Sequence, residues 1–415
     1  MKCSINYKEK AMNKDILLVA HFCSSFGATS NNRFSNLAEK LSELDTSVEL
    51  VTSDFLHQKK EKRVVSSELS RLKYKVTLIN EPAYKKNVSI KRFYSHYKMA
   101  RNLKKYLKTR KVPDLIYCAV PSLDIALVAA RYAKKNRVKF IIDIQDLWPE
   151  AFKMILNIPI LFYPMKKIAD YIYKTADEII AVSETYKDRA LRVNNKPIEG
   201  KTVYLGIDLK RFDTYFNQHQ FHNKPSNEIW LCYVGTLGHS YDLTTVIDAL
   251  EIIMCDKGID NIRFIVMGDG PLKSKFEDYS KSKQISILFT GRLPYDEMVG
   301  ILGVCDIAVN PITRGAAGSI INKHADYAAA GLPVLNTQES LEYRNLVNSY
   351  NMGLNCNNND PKDLAEKLII LFENPEMRIE MGKNSRRLAE DKFDRRNSYK
   401  VINDLIEKYT MINFK

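Results

Sequence analysis

The stretch that decides the fold is CDIAVNPITRGAAGSIINKHADYAAAGLPVL, which runs from Cys305 to Leu335. It predicts a short buried strand at residues 307–309, then a loop of small residues, then a helix that stops at Gly331. Ser319 is the predicted N-cap of that helix. A glycine-rich loop that opens a helix presents free N–H groups and the positive end of a dipole. The stretch therefore predicts an anion site.

Two charged side chains follow the loop on the predicted helix. Lys323 and Asp326 are three residues apart and share one helix face. A cation for phosphates beside a carboxylate for ribose hydroxyls indicates a nucleotide diphosphate site. The alternative is that the stretch is one more strand–helix unit of an α/β domain, without a ligand.

Length and composition indicate a two-domain globular protein. The chain has 415 residues, 45% of them apolar and 27% charged, which is too long for a single core. No run of apolar residues is long enough to span a membrane, and the N-terminus lacks the apolar core of a signal peptide. The seven cysteines are odd in number and contain no Cys-x-x-Cys pair. This pattern favours reduced thiols over a disulfide framework, a zinc site or a redox centre.

Strands alternate with helices in both halves, which predicts an α/β protein of two doubly wound domains. A polar stretch separates the halves. The predicted divisions are listed here: a disordered extension at 1–13, an N-terminal domain at 14–208, a linker at 209–228, a C-terminal domain at 229–390, and a C-terminal helix at 391–415 that packs back toward the N-terminal domain.

Basic residues concentrate in one segment of the N-terminal half. Residues 85–111 carry eleven Lys or Arg and no Asp or Glu, within a net charge of +14. Tyrosines interleave with these cations, so the segment suits an anionic membrane surface or an anionic substrate. The alternative is a solvated helix face. No nucleic-acid module is recognisable, so nucleic acid is not an expected partner.

Two loops of the N-terminal half suggest a binding role. The loop after the first predicted strand includes Gly27, Asn32 and Arg33 and opens a helix, an arrangement that suits an anion. Asp146 and Trp148 follow another buried strand, at the edge where open α/β sheets bind ligands. The alternatives are an ordinary strand–helix loop and a helix-capping cluster.

Five segments resemble the retaining nucleotide-sugar glycosyltransferases of family 4, which have the GT-B fold. The segments are YVGTLG at 233–238, MGDGP at 267–271, FTGRLP at 289–294, NKHADYAAAGLPV at 322–334, and DIQDLWPE at 143–150. The last resembles a bacterial branch that builds capsule, O-antigen and exopolysaccharide and includes fucosamine transferases. The resemblance implies two Rossmann-like doubly wound parallel-sheet domains facing a cleft.

The same resemblance implies a donor site in the C-terminal domain. Its residues would be Gly235, Thr236, Leu237, Arg292, Leu293, Gly318, Ser319, Ile320, Lys323 and Asp326. Asp326 stands where the family holds ribose hydroxyls. The family's other carboxylate, eight residues earlier, is replaced here by Gly318, which leaves backbone N–H groups and Lys323 to serve the diphosphate.

The acceptor site is expected in the N-terminal domain, at Gly27, Asn32, Arg33, Asp146 and Trp148. Asp146 and Lys323 are the candidate catalytic residues: one orients a hydroxyl and the other stabilises the leaving diphosphate. No Asp-x-Asp occurs, which fits a metal-free reaction without a cofactor beyond the donor.

The expected reaction is retaining transfer from a nucleotide-diphosphate sugar, UDP-sugar being favoured, to a glycan acceptor. That acceptor would be linked to undecaprenyl diphosphate, which predicts a cytoplasmic protein peripheral on the inner face of the plasma membrane. Two alternatives are a nucleotide-sugar 2-epimerase of the same fold and a non-catalytic nucleotide-sugar-binding protein. The missing carboxylate at Gly318 weighs against the epimerase.

Overall fold

The computed structural model describes residues 14–27, 32–44, 46–64, 67–86, 89–151, 159–219, 221, 224–316 and 319–411. The predicted disordered extension at 1–13 and the predicted donor residue Gly318 lie outside the described residues. The chain divides into two compact units. The first takes its described residues from Met1–Ala181, Lys187–Lys201 and Val401–Lys415, and the second from Val182–Tyr186 and Thr202–Lys400.

The first unit is built on a sheet of seven strands. Strand order in space is β5-β2-β1-β6-β7-β8-β9, and the pairs from β5 through β8 are parallel. The order reverses between β1 and β6, which is where doubly wound sheets bind ligands. The strands are β1 (Lys14–Val19), β2 (Thr46–Ser53), β5 (Lys75–Ile79), β6 (Leu115–Val120), β7 (Lys139–Ile144), β8 (Glu178–Ala181) and β9 (Lys201–Thr202).

Continuous apolar runs explain why these strands form the buried centre of the unit. All six residues of β6 are buried, as expected for a parallel strand covered by helices on both faces. A short antiparallel hairpin follows β2, made of β3 (Phe55–Leu56) and β4 (Glu61–Lys62). The helices are α1 (Arg33–Leu41), α2 (Ile90–Thr109), α3 (Leu123–Asn136) and α4 (Pro159–Thr175).

Helix α2 carries the basic segment and is amphipathic. Its buried side includes Met99, Leu103 and Leu107, at the four-residue spacing of a helix that packs on a sheet. Ser89 caps its first turn by accepting a hydrogen bond from the Arg92 N–H. No helix among the described residues is both long enough and apolar enough to cross a membrane.

The second unit has six parallel strands in the order β12-β11-β10-β13-β14-β15, the order typical of dinucleotide-binding sheets. The order reverses between β10 and β13. The strands are β10 (Ile229–Val234), β11 (Ile262–Met267), β12 (Ile287–Gly291), β13 (Ile307–Asn310), β14 (Val334–Asn336) and β15 (Gly353–Asn355).

Helices surround the second sheet. They are α6 (Leu209–Gln218), α7 (Leu243–Lys257), α8 (Lys273–Ser282), α9 (Tyr295–Leu302), α10 (Asn322–Ala329), α11 (Leu341–Tyr350), α12 (Pro361–Glu373), α13 (Pro375–Leu388) and α14 (Arg395–Ser398). Helix α5 (Glu184–Leu191) begins in the second unit and ends in the first.

The boundary between the units corrects the sequence interpretation. The second unit begins again at Thr202 rather than after 208, and the predicted linker at 209–228 starts with helix α6. Asp208 caps α6, and Leu209 and Phe212 are buried in the core of the second unit. The polar side chains between these apolar positions hid a helix whose apolar residues are three apart.

The C-terminus also divides later than predicted. A π-helical turn at Ala389–Phe393 and α14 stay with the second unit, so the predicted division at 390 falls instead at 400. The last helix, α15 (Lys400–Met411), belongs to the first unit from Val401 onward. Within that unit the Tyr409 hydroxyl donates a hydrogen bond to Glu178, at 2.6 Å.

Candidate functional site

Two glycine turns interlock at the carboxyl ends of β10 and β11. The Gly235 N–H donates to Met267 O at 3.0 Å, and the Leu237 N–H donates to Asp269 O at 2.9 Å. A Cβ on Gly268 would lie only 1.8 Å from the carbonyl oxygen of Gly235. Side chains are therefore excluded from the contact between the two turns, which lies beside the switch point.

Lys323, on the first turn of α10, reaches back to the first glycine turn. A Cβ on Gly235 would lie 3.0 Å from Lys323 Nζ. The ammonium lies 3.8 Å from the ring centroids of both Tyr233 and Tyr241, a cation–π arrangement with two faces. The sequence placed Lys323 and Gly235 in one donor site, and the structure brings them together.

The Lys323 ammonium is buried and lacks a hydrogen-bond partner among the described residues. Burial lowers the pKa of Lys323 well below its usual range, because an ammonium loses its hydration there. A buried cation needs a charged partner to be stable. An anion placed beside Gly235 would supply both the charge and the hydrogen-bond acceptors.

The start of α10 differs from the sequence prediction. The helix begins at Asn322 with Ile321 at the N-cap position, so the prediction that Ser319 caps it is wrong. The His324 ring takes the capping role instead, since its Nδ1 accepts from the Ile321 N–H at 3.3 Å. His324 also stacks on Tyr343 with ring centroids 3.6 Å apart. Burial lowers the pKa of His324, so this ring is neutral.

A buried ladder of amides supports the loop before α10. Asn310, Asn336 and Asn355 end β13, β14 and β15 in register. Asn310 Nδ2 donates to Asn336 Oδ1 at 3.0 Å, and Asn336 Nδ2 donates to Asn355 Oδ1 at 2.8 Å. Gln338 extends the ladder, since its Nε2 donates to the carbonyl oxygen of Ser319 at 2.9 Å. Sequence reasoning missed this support.

The other predicted donor residues lie around these turns with different exposures. Thr236 is exposed, whereas Leu237 is buried. Ile320 is buried in the core of the second unit, which fixes the chain just before α10. Arg292 is exposed after β12, and Leu293 packs partly against the same core.

Asp326 lies one turn after Lys323 and has an internal partner. The Tyr295 hydroxyl, at the start of α9, donates to Asp326 Oδ1 at 2.8 Å. Burial raises the pKa of Asp326 to about 6, although the Tyr295 hydrogen bond and the Arg395 charge oppose that shift. The carboxyl group therefore titrates close to neutral pH, and it would keep one oxygen for a second donor.

In the first unit, Arg33 and Asp143 form a buried ion pair. Arg33 Nε donates to Asp143 Oδ2 at 2.7 Å, and the Tyr117 hydroxyl donates to the same oxygen at 2.6 Å. Both charged side chains are almost fully inaccessible. This placement argues against the predicted acceptor contact of Arg33, because its guanidinium helps to neutralise a carboxylate inside the core.

The other predicted residues of the first loop have local structural partners. Asn32 caps α1, its side chain accepting from Phe34 N at 3.0 Å and Ser35 N at 3.2 Å. Gly27 has a positive φ of 88° and donates its N–H to the Tyr74 hydroxyl at 3.2 Å. These contacts shape the loop, and its predicted role toward an acceptor stays a prediction.

Asp146 and Trp148 lie past the end of β7. Asp146 Oδ1 accepts from the Leu147 N–H at 2.9 Å, and its Oδ2 accepts from Trp148 Nε1 at 3.3 Å. The Trp148 ring stacks on His96, with centroids 5.9 Å apart and planes 5° apart. These two predicted residues thus belong to a larger cluster at the carboxyl edge of the first sheet.

That cluster centres on His21 and Glu81, which sequence reasoning missed. His21 follows β1, and its Nδ1 lies 2.6 Å from the Ser122 hydroxyl, across the switch point from β6. His21 Nε2 lies 2.7 Å from Glu81 Oε2, just past β5. Ser95 of α2 donates to the other Glu81 oxygen at 2.7 Å. Polar residues just after strands were the signal that could have found them.

Three side chains in this cluster carry atoms that could coordinate a metal ion, and these atoms lie close together. Atoms of His21, Glu81 and His96 lie within 4.8 Å of one another, and all three residues are buried. Each already has hydrogen-bond partners, and Arg92 Nε donates to His96 Nε2 at 3.4 Å. A divalent cation would have to displace those bonds beside a guanidinium, so the donor set fits a polar network better than a metal centre.

Comparison with known proteins identifies the two halves of the chain. A model described as Glycosyltransferase Family 4 matches residues 30–211, and one described as Glycosyl transferases group 1 matches residues 215–388. The chain is 24% identical over 252 residues to an uncharacterised glycosyltransferase of Methanocaldococcus jannaschii, and 24% identical over 248 residues to the capsular polysaccharide biosynthesis glycosyltransferase CapM of Staphylococcus aureus.

These alignments cover 59% and 56% of the chain and 61% of each relative, so they reach less than two thirds of the relatives' length. Among solved structures, the chain resembles Anabaena HepE in complex with UDP, with a TM-score of 0.67 and 14% identity. That similarity covers 95% of the chain and 100% of HepE.

The chain belongs to the glycosyltransferases of the GT-B type. The predicted GT-B fold is thereby confirmed, with one doubly wound domain in each unit. In this glycosyltransferase, the first family model ends at residue 211 and the second begins at residue 215, so the boundary between them lies inside α6. The boundary between the two compact units lies earlier, after residue 201.

Proposed function

We propose that this protein transfers a sugar from a nucleotide-diphosphate donor, a UDP-sugar being favoured, to a glycan acceptor carried on a lipid diphosphate. The observation that carries the proposal is the buried Lys323 ammonium beside the Gly235 turn. HepE, which shares the fold, is known in complex with UDP, and CapM is named for capsular polysaccharide biosynthesis. We assign this chain to a bacterial surface polysaccharide pathway of that kind.

The second unit would hold the donor. Cleavage of the anomeric bond leaves negative charge on the diphosphate, so groups that stabilise this charge lower the barrier. Lys323 supplies a positive charge in a site where water is already excluded. The N–H groups at the start of α10 add hydrogen-bond donors and a favourable dipole. No metal is required in this scheme, because Lys323 supplies the cation.

Asp326 would recognise the ribose of the donor. A carboxylate that keeps one oxygen after binding Tyr295 can accept from a sugar hydroxyl. This role concerns affinity for the nucleoside rather than the chemical step. It predicts that the nucleoside and the diphosphate are recognised by different side chains of α10.

The first unit would hold the acceptor, with Asp146 orienting a hydroxyl and the basic helix α2 meeting an anionic membrane surface. Exposed aromatic side chains alternate with cations on this helix. Lys98 Nζ lies 5.4 Å from the Tyr94 ring centroid, and the Arg101 guanidinium lies 5.9 Å from that of Tyr97. Aromatic rings and basic groups on one helix face suit the headgroup region of a bilayer. We therefore propose a peripheral attachment to the inner face of the plasma membrane.

A panel of donors tests the proposal. Binding of UDP, GDP and their sugars to the full chain would be measured by calorimetry, and transfer would be assayed with membrane extract as the acceptor source. We expect selective binding of one nucleotide and a product whose anomeric configuration, read by NMR coupling constants, matches that of the donor. An inverted product would reject the retaining mechanism.

The same experiment separates the alternatives. Epimerised nucleotide sugar in the absence of any acceptor would indicate a 2-epimerase. Tight binding without turnover, with extract present, would indicate a binding protein. Lack of binding to every nucleotide tested would reject the proposed donor site itself.

A further inference from the structure

A second concentration of positive charge lies at the carboxyl edge of the first sheet. The hairpin β3–β4 presents its tip there, with His57 and Lys60 in the turn. Lys60 Nζ donates to His57 Nδ1 at 3.2 Å, and the same ring nitrogen contacts the Tyr84 hydroxyl. Lys60 adopts a φ of 61°, a conformation that a tight turn imposes on it.

The first turn of α2 brings another cation to the same place. The Arg92 guanidinium lies 5.9 Å from the ring centroids of both Phe22 and Tyr84, and 4.9 Å from that of Trp148. Lys60 Nζ lies 4.9 Å from the Tyr84 ring centroid. Two cations from separate elements therefore approach one buried tyrosine ring.

The nearby carboxylates are already hydrogen-bonded to other groups. Glu81 is buried and accepts hydrogen bonds from Ser53 and Ser95, besides its contact with His21. Asp146 accepts hydrogen bonds from the backbone N–H of Leu147 and the indole N–H of Trp148. Both carboxylates act on Arg92 through their charges, which oppose the lowering of its pKa by burial.

The pKa of His57 reflects both burial and the cations around the ring. Burial, followed by the charges of Lys60, Arg92 and His21, lowers the pKa of His57 to about 4, with Glu81 opposing. Burial and the charge of Arg92 also lower the pKa of Lys60. The neighbouring His96 is neutral because burial lowers its pKa to about 2. An anion in this place would relieve the mutual repulsion.

We propose that Lys60, Arg92 and His57 form a phosphate-binding site in the first unit, which takes the diphosphate of the lipid-linked acceptor. This inference rests on the proposed function. A phosphate offers several acceptor oxygens to donors that come from different directions, as the hairpin tip and α2 do here. Donor diphosphate has its own cation, Lys323, in the other unit.

The position of Arg92 on α2 favours a lipid-linked diphosphate over a free one. Ile90 and Phe93, on either side of Arg92 in the sequence, are exposed apolar side chains. The chain of a lipid carrier lies in the bilayer, and its diphosphate lies at the headgroup level. A helix that exposes apolar residues within one turn of a phosphate-binding arginine suits a ligand with both parts.

Binding of three probes to the full chain tests the proposal. They are inorganic pyrophosphate, farnesyl diphosphate as a short prenyl diphosphate, and phosphatidylglycerol bilayers without diphosphate. The measurements use a Lys323→Met background, so that the diphosphate site of the second unit contributes little. Lys60→Met should weaken binding of pyrophosphate and farnesyl diphosphate about tenfold, as expected for one lost charge-assisted hydrogen bond.

Lys59→Met is the matched control. Lys59 lies in the same turn, its side chain is 72% exposed, and it pairs with Glu61 at 3.7 Å. We expect less than a twofold change for this variant. Equal effects of Lys59→Met and Lys60→Met would overturn the proposal, because they would indicate only a general attraction to basic protein.

The NMR titration of His57 gives a second readout that does not depend on a mutant's fold. Its resonance would be assigned by comparison with His57→Gln. Saturating pyrophosphate or farnesyl diphosphate should raise the pKa of His57 by at least about one unit, because a nearby anion favours the imidazolium. An unchanged titration with both probes would overturn the site, and a shift with phosphatidylglycerol bilayers alone would overturn the acceptor assignment.

Failure of this inference can be distinguished from failure of the proposed function. If UDP binds and transfer occurs while His57 does not respond to diphosphate, the acceptor site is wrong and the transferase stands. If His57 responds and no nucleotide binds, the donor assignment is wrong and the phosphate site stands.

Discussion

Lys323→Met gives the sharpest test of the donor site. At about 4 Å from a phosphate oxygen, a unit charge contributes about 4 kcal/mol at an effective dielectric constant of 20, before desolvation is subtracted. A hydrogen bond to a charged group contributes about 1.5–3 kcal/mol net. UDP affinity should therefore fall about 10- to 150-fold, since about 1.4 kcal/mol corresponds to a factor of ten.

The same substitution should leave the unliganded protein equally stable or more stable. Lys323 is only 6% exposed, its ammonium is buried, and methionine keeps an unbranched apolar stem of similar length. The loss of contact with two tyrosine faces opposes the gain from removing a buried charge. Weaker UDP binding with an unreduced Tm would separate loss of a ligand contact from damage to the fold.

Proton uptake provides a third signature. Burial lowers the pKa of Lys323 in the free protein, and a bound diphosphate should raise it. Above the free-state pKa, UDP binding should therefore take up a proton, and affinity should fall as pH rises. Between the folded-state pKa of Lys323 and its higher pKa in the unfolded chain, the unfolded chain binds more protons than the folded one. The stability of the free protein should therefore rise with pH over that range.

Calorimetry of UDP binding in buffers of different ionisation enthalpy, between about pH 7.5 and 9, measures this uptake. Lys323→Met should lose this proton uptake. Any uptake that remains in the variant comes from the ionisable groups of UDP itself, so the difference between the two proteins isolates the contribution of Lys323. Lys275→Met, on the exposed side of α8, is the control. Wild-type UDP affinity in Lys323→Met, with unchanged proton uptake, would refute the reasoning.

The remaining predictions address single features of the structure. Asp326→Asn should weaken UDP binding but not pyrophosphate binding. Because the Asp326 carboxyl of the folded protein titrates near 6 rather than near 4, the stability of the wild type should fall by about 3 kcal/mol as pH rises from about 4 to about 6. Chemical denaturation of the variant should show no such fall. Gly268→Ala should prevent folding of the second unit, because its Cβ would lie 1.8 Å from a carbonyl oxygen, whereas Gly258→Ala meets no atom within 4 Å and should cost only about 1–2 kcal/mol for its positive φ; similar circular dichroism melts for both would contradict the packing argument. Arg101→Glu combined with Lys98→Glu should reduce co-sedimentation with anionic liposomes at low salt but not with neutral ones; sedimentation that ignores lipid charge and salt would reject the membrane role of α2.

The sequence alone determined the fold class and the positions of the glycine turns. Buried parallel strands appear as continuous apolar runs, and a glycine that must pass close to another backbone cannot be replaced, so both leave local patterns. Gly235 and Lys323 could be assigned to one site because they stand in recognisable segments. The helix α6 was missed for the opposite reason: its polar side chains outnumber the apolar residues that pack it against the core.

The tertiary structure decided what each charged side chain does. The sequence gives Arg33 and Arg92 the same chemistry, yet one is neutralised by Asp143 inside the core and the other lies among aromatic rings near Lys60. His21 and Glu81, 60 residues apart, meet only because β1 and β5 end at the same edge of one sheet. Charge, hydration and pKa depend on neighbours that are distant in the chain, so only packing could determine them.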